Sequence, residues 1–94
     1  MLTYLLLGKY SSEALKGASV ERTHKAYSVI EKHGGVINAI YALLGGYDIV
    51  ILASFPGTQD AIKASVGLSK LTSISFSTLP AIPIEQFDKI VSEV

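Results

Sequence analysis

The chain predicts an α+β fold: a four-stranded antiparallel sheet laid down in the order β-α-β-β-α-β, with a further helix at the end. Three observations predict it. Apolar, strand-like runs and helix-like periodic segments alternate in that order along the 94 residues. Gly45-Gly46 separates two of the runs; this is a hairpin signal, because a two-residue type I′ turn needs positive φ twice. Near the end, Ile84, Phe87, Ile90, Val91 and Val94 repeat at i, i+3, i+6, i+7 and i+10, the stripe of an amphipathic helix.

Residues 2–10 read as the first strand, with Tyr and Thr among leucines, no proline, and Ser11-Ser12 after it. Leu2, Tyr4 and Leu6 fall on one side and Leu5 and Leu7 on the other, so both faces are apolar. Residues 11–18 read as a loop with at most a short turn. Ser19 is the expected N-cap of a helix, with Glu21 in its first turn, that Gly34-Gly35 ends after about His33. On its wheel Val20, Thr23, Tyr27 and Ile30 share a face, and Glu21, Arg22, Lys25 and Lys32 lie off it. Residues 36–44 and 47–55 are the second and third strands, and Pro56-Gly57 breaks the latter. Thr58 is the next expected N-cap, opening a helix to about Leu71. Its inner face is Ala61, Ile62, Ser65 and Leu68; Lys63, Gly67 and Lys70 lie opposite. Residues 72–79 are the fourth strand, with Ile74, Phe76 and Thr78 opposite Ser73, Ser75 and Ser77. Pro80 and Pro83 bracket a turn, and Pro83 suits the first position of the last helix. This order is the split βαβ arrangement of ferredoxin-like proteins, with two helices on one face of the sheet. One domain accounts for residues 1–94.

Composition narrows the function classes. The hydrophobic share is 49% and the charged share 17%, against about 25% charged in ordinary soluble domains. Such a chain is not disordered. Zero cysteines exclude disulfides, thiolate metal sites and cysteine nucleophiles. A net charge of zero leaves no electrostatic footprint for nucleic acid. No apolar run approaches the ~20 residues that span a bilayer. The apolar start lacks the basic region of an export signal and is cut short at Lys9, so cytoplasmic residence and no membrane partner are expected. The surplus of apolar residues has a location: both faces of the first three strands. Two helices cover one face, and a ten-residue terminal helix is only ~15 Å long. The expected cover for the rest is a second copy of the chain, sheet against sheet, in a homodimer or a larger oligomer.

Gly45-Gly46-Tyr47-Asp48 begins the third strand, Gly8-Lys9-Tyr10-Ser11 ends the first, and Leu15-Lys16-Gly17, Gly34-Gly35 and the stretch from Glu85 to Val91 follow the same layout. Across essentially its whole length the chain resembles the GYD-domain family, named for that triplet. The resemblance implies a dimeric α+β barrel of two facing sheets and no assigned activity. Ala14 stands where such proteins often carry glycine. A wider likeness runs to the ligand-sensing domains of leucine-responsive regulators, without their DNA-reading segment. Other barrel relatives are cofactor-free oxygenases, isomerases and cyclases, a likeness of fold that warrants little about function.

His24 and His33 lie nine residues apart on one helix and point to opposite faces, so no metal is expected, and no cofactor either. His24, at the edge of the apolar face, is the one candidate acid/base; a boundary histidine half in solvent would look the same. Asp48 adjoins an apolar strand and must be either exposed or held by donors such as turn N–H groups, Tyr hydroxyls or Lys9. It either fixes the hairpin or the dimer register, or binds a ligand. Lys9, Tyr10, His24, Tyr41 and Asp48 are the expected lining of a small-molecule site, between the first long helix and the sheet or at the barrel seam. Three readings stand: a homodimer binding a small organic molecule, a metal-free barrel enzyme using His24 on an aromatic or carbonyl compound, and a structural assembly module.

Overall fold

The computed structural model describes residues 1–94. Its elements are β1 (Leu2–Tyr10), α1 (Ser12–Lys16), α2 (Val20–Lys32), β2 (Val36–Ala42), β3 (Ile49–Phe55), α3 (Thr58–Thr72), β4 (Ile74–Ala81) and α4 (Ile84–Glu93). The four strands form one antiparallel sheet in the order β2-β3-β1-β4. This is the ferredoxin-like βαββαβ arrangement with a C-terminal helix.

Sheet register sorts every strand residue onto one of two faces. Leu6 pairs with Ile51 and Thr78, and Tyr4 with Ala53 and Pro80. That face meets α2 and α3. Its core is Tyr4, Leu6, Ile51, Ala53 and Phe55 from the sheet, Ile30 from α2, and Ala61, Ala64 and Leu68 from α3. Tyr4 and Phe55 meet edge to face at 5.9 Å. The Tyr4 hydroxyl, which cannot be left dry and unpaired, shares a 2.9 Å hydrogen bond with Thr58 Oγ1. Gly8 faces the same side, where Ile49, Ile74 and Phe76 fill the space; a Cβ there would lie 2.6 Å from Ile49 Cγ2. The opposite face carries Leu5, Leu7, Val50, Leu52, Tyr41 and Leu79, alongside Ser75, Ser77 and Lys9. No part of the chain lies across it. The molecule is 18 Å in its shortest extent, room for a sheet and one layer of helices, since such layers pack about 10 Å apart.

Several sequence expectations need correcting. The segment after β1 holds a real helix, α1, because Ser11 Oγ accepts from Ala14 N–H at 2.9 Å and buried Ala14 pins the turn down. Helix α2 starts at its expected cap, with Ser19 Oγ accepting from Arg22 N–H at 3.0 Å, but it is rotated. Ala26, Val29 and Ile30 face inward, while Val20 is 74% exposed. Gly57, not Thr58, caps α3, and Ile62 points outward while Gly67 packs against Val29. The hairpin exists, but its turn is longer than two residues. The β2–β3 ladder ends at Ala42 and Ile49, with one more bond from Leu43 N–H to the Asp48 carbonyl at 2.8 Å. Within the turn only Gly45 has positive φ, at 146°, a conformation that L side chains rarely adopt. Strand β4 continues through Pro80 to Ala81. Proline is tolerated there because β4 is an edge strand. Pro83 is the N-cap of α4, one place earlier than expected.

Candidate functional site

The residues that gather chemistry lie where β1 ends. Asp48 sits just before β3, and three of its groups are engaged. Its N–H donates to the Gly8 carbonyl at 2.8 Å and its carbonyl accepts from Leu43 N–H. Its Oδ2 accepts from Tyr10 N–H at 2.8 Å. A charged acceptor on a backbone donor makes a stronger bond than a neutral pair. Asp48 thus ties β1, β2 and β3 together and leaves its second carboxylate oxygen with no partner in the chain.

Tyr10 is held from its other side as well. The Arg22 guanidinium stands 5.7 Å from the Tyr10 ring centroid and donates to the Ala14 carbonyl. Ser11 Oγ, which caps α1, also donates to the Ser73 carbonyl at 3.3 Å. These bonds fasten α1 over the end of the sheet. Between α1 and the β2–β3 connection is an open cleft of about 430 Å³, lined by Tyr10, Ser11, Ser12, Leu15, Leu43 and Asp48, with Ala42 at its edge. A ligand pocket typically has ~300–1,000 Å³. Behind Tyr10, between α2 and the sheet, is an apolar space of only about 50 Å³, walled by Ala26, Ile40, Ile51, Leu68 and Phe76 among others. A third depression, about 370 Å³, lies between α1, the start of α2 and the end of α3, with Glu13, Glu21, Arg22 and Lys25 on its walls.

Of the five residues expected at a site, Tyr10 and Asp48 come together. Lys9 and Tyr41 lie on the free sheet face, Lys9 across from Ser75 and Tyr41 across from Val50. His24 is not at the edge of the apolar face: with α2 rotated, it is exposed on the outer side and lines none of the depressions. Sequence reasoning missed Arg22, Leu15 and Leu43. Arg22 did carry a signal: a cation in the first turn of a helix opposes the dipole and needs another reason to be there.

Fold and cleft define a small α+β protein of ferredoxin-like topology with an open cleft, bearing the Asp48 carboxylate, at the end of its sheet. The family model described as the GYD domain matches residues 4–91 of the 94, and the chain belongs to that family. No curated protein matches the chain significantly. Asp48, last residue of the Gly46-Tyr47-Asp48 triplet, is the one that reaches the cleft; Tyr47 stays in the connection, 38% exposed. Ala14 is 1% exposed, so its methyl group is accommodated in the packed interior. No helix is long and apolar enough to cross a membrane.

Proposed function

We propose that the protein is a cytoplasmic homodimer, its two sheets face to face as an α+β barrel, whose subunits each bind a small organic molecule in the Tyr10–Asp48 cleft. The observation that carries the ligand reading is the cleft itself. It combines apolar walls from Leu15, Leu43 and the Tyr10 ring with two serines and one carboxylate whose position is fixed by a backbone bond. Few polar groups, firmly placed among apolar ones, are what a specific pocket needs. Pairing of the sheets is supported by the uncovered face, where Tyr41 and Leu79 are 59% and 47% exposed beside Leu5, Leu7, Val50 and Leu52. In this arrangement Lys9 and Tyr41 belong to the paired face rather than to the cleft. Nothing favours the enzymatic reading: His24, the acid/base it requires, has neither a cleft nor a side-chain partner.

Thermal-shift screening of a metabolite library, with native mass spectrometry of the purified protein, tests the ligand. At a hundred times its Kd, a ligand adds ~2.7 kcal/mol, which in a domain this size raises Tm by roughly 10 °C or more. Asp48→Asn should keep the fold and lose that shift. A library without a hit, together with no copurified ligand, would defeat the cleft assignment.

A further inference from the structure

A second apolar surface on this chain also has nothing against it. In α4, Ile84, Phe87, Ile90 and Val91 line one side at i, i+3, i+6 and i+7, with Glu85, Asp88, Lys89 and Ser92 on the other. Such a face is built to be covered. Yet those four are 63%, 50%, 48% and 57% exposed, and no residue of α4 is buried. By contrast Ile30 of α2 and Ala61, Ala64 and Leu68 of α3 are 1% exposed or less. The helix makes no extensive contact with any other element of the chain. The longest extent is 48 Å, although nine residues of strand span only ~30 Å. The radius of gyration is 14.2 Å, where a compact chain of this length has about 12.4 Å.

We infer that α4 is an exchanged arm: it lays its apolar face on a second copy of this chain and receives that copy's α4 in return. The inference rests on the homodimer reading above and adds to it. Area is the first argument. Four strands ~4.8 Å apart and about 25 Å long offer roughly 450 Å² per sheet face. A stable interface takes about 800 Å² per partner. The apolar half of a ten-residue helix adds ~230 Å². Exchange counts that area twice for each subunit, once for the arm given and once for the surface under the arm received, which closes the gap. An arm folded back on its own body would add nothing to the interface. Symmetry is the second argument: a twofold dimer uses both arms or neither. Charge argues against the other obvious occupant. Over residues 84–93 three acids stand against one lysine, a net of −2, whereas helices that lie on anionic lipid carry Lys and Arg on their polar face.

The test uses the full chain, the double variant Phe87→Asp/Ile90→Asp, and Ile62→Asp as a control, since Ile62 is 55% exposed on α3. Dimer dissociation is measured by sedimentation over a dilution series, and hydrogen exchange of residues 84–93 above and below the dissociation constant. The double variant is expected to raise the dissociation constant about 100-fold or more, with unchanged far-UV circular dichroism, and the control to leave it within about threefold. Amides of α4 are expected to slow on dimerisation. An unchanged dissociation constant in the double variant overturns the arm and leaves the paired sheets standing. So does a dimer whose α4 amides exchange as fast as in the monomer, or wild-type protein that sediments with phosphatidylserine vesicles through α4. Protection of α4 in the dilute monomer would place the helix on its own body and overturn the arm as well. A wild-type chain that stays monomeric at every concentration defeats both readings.

Discussion

At Asp48 one residue holds three strands by its N–H, its carbonyl and its carboxylate. Removing the carboxylate leaves Tyr10 N–H without its partner in a half-buried place. An orphaned buried donor costs ~1–3 kcal/mol. Asp48→Ala is therefore expected to lower the unfolding free energy by that much, seen as a lower urea midpoint at an unchanged m-value, and Asp48→Asn, which keeps an acceptor oxygen, by less than half of it. A loss below about 0.5 kcal/mol in Asp48→Ala would put it among neutral surface substitutions and remove Asp48 from the framework. The sequence made it legible that this acid needed donors, and turn N–H groups were among those expected. It could not say that the donor is Tyr10, because alternation along one strand carries no information about the residue across from it. Gly8 is a second residue with a fixed demand. Its Cβ would meet Ile49, Ile74 and Phe76, each within 3 Å. Overpacking of this kind costs ~1–3 kcal/mol, so Gly8→Ala should destabilise the protein by that amount in urea titration, and its effect should reach Tyr10 two residues on.

At the level of elements, the four strands and the three longer helices were all legible, because each is long enough for its period to show. What failed was phase and punctuation. On α2, residue type favoured Val20 and Tyr27 as the inner face, but the sheet takes the smaller Ala26 with Val29 and Ile30. A helix lying close on a sheet selects by fit as much as by hydrophobicity, and that rotation carried His24 out into water. Helix α1 was missed because five residues are too few for a periodic pattern; its only signature is Ser11 followed by a small buried residue. That element forms one wall of the cleft, so it is open to its own test. Ser11 Oγ accepts from Ala14 N–H and donates to the Ser73 carbonyl. Loss of an N-cap costs ~1 kcal/mol. Ser11→Ala is expected to lose about that much and to speed hydrogen exchange selectively in residues 12–17. Uniform exchange across the chain would mean that α1 is held by Ala14 and Arg22 alone.

For the whole molecule, the decisive quantity is what lies on the second face of the sheet. Within one chain that face is open, so a charge placed on it meets water and costs little. In a face-to-face dimer the same charge would be buried without a partner, which costs several kcal/mol. Val50 is suited to the test: it is on an inner strand, pairs with Leu7 and Tyr41, and points away from the helices. If the sheets pair, folding is linked to association, and wild-type Tm rises with protein concentration. Val50→Lys should abolish that rise and give a species of the 10.0 kDa chain mass in light scattering at low micromolar protein. Its far-UV circular dichroism should stay that of an α+β chain, because no core contact on the helix side is touched. A wild-type Tm independent of concentration, with the single-chain mass, would mean that the apolar face of β1 and β3 tolerates water. The excess of apolar residues would then need an explanation other than a second subunit.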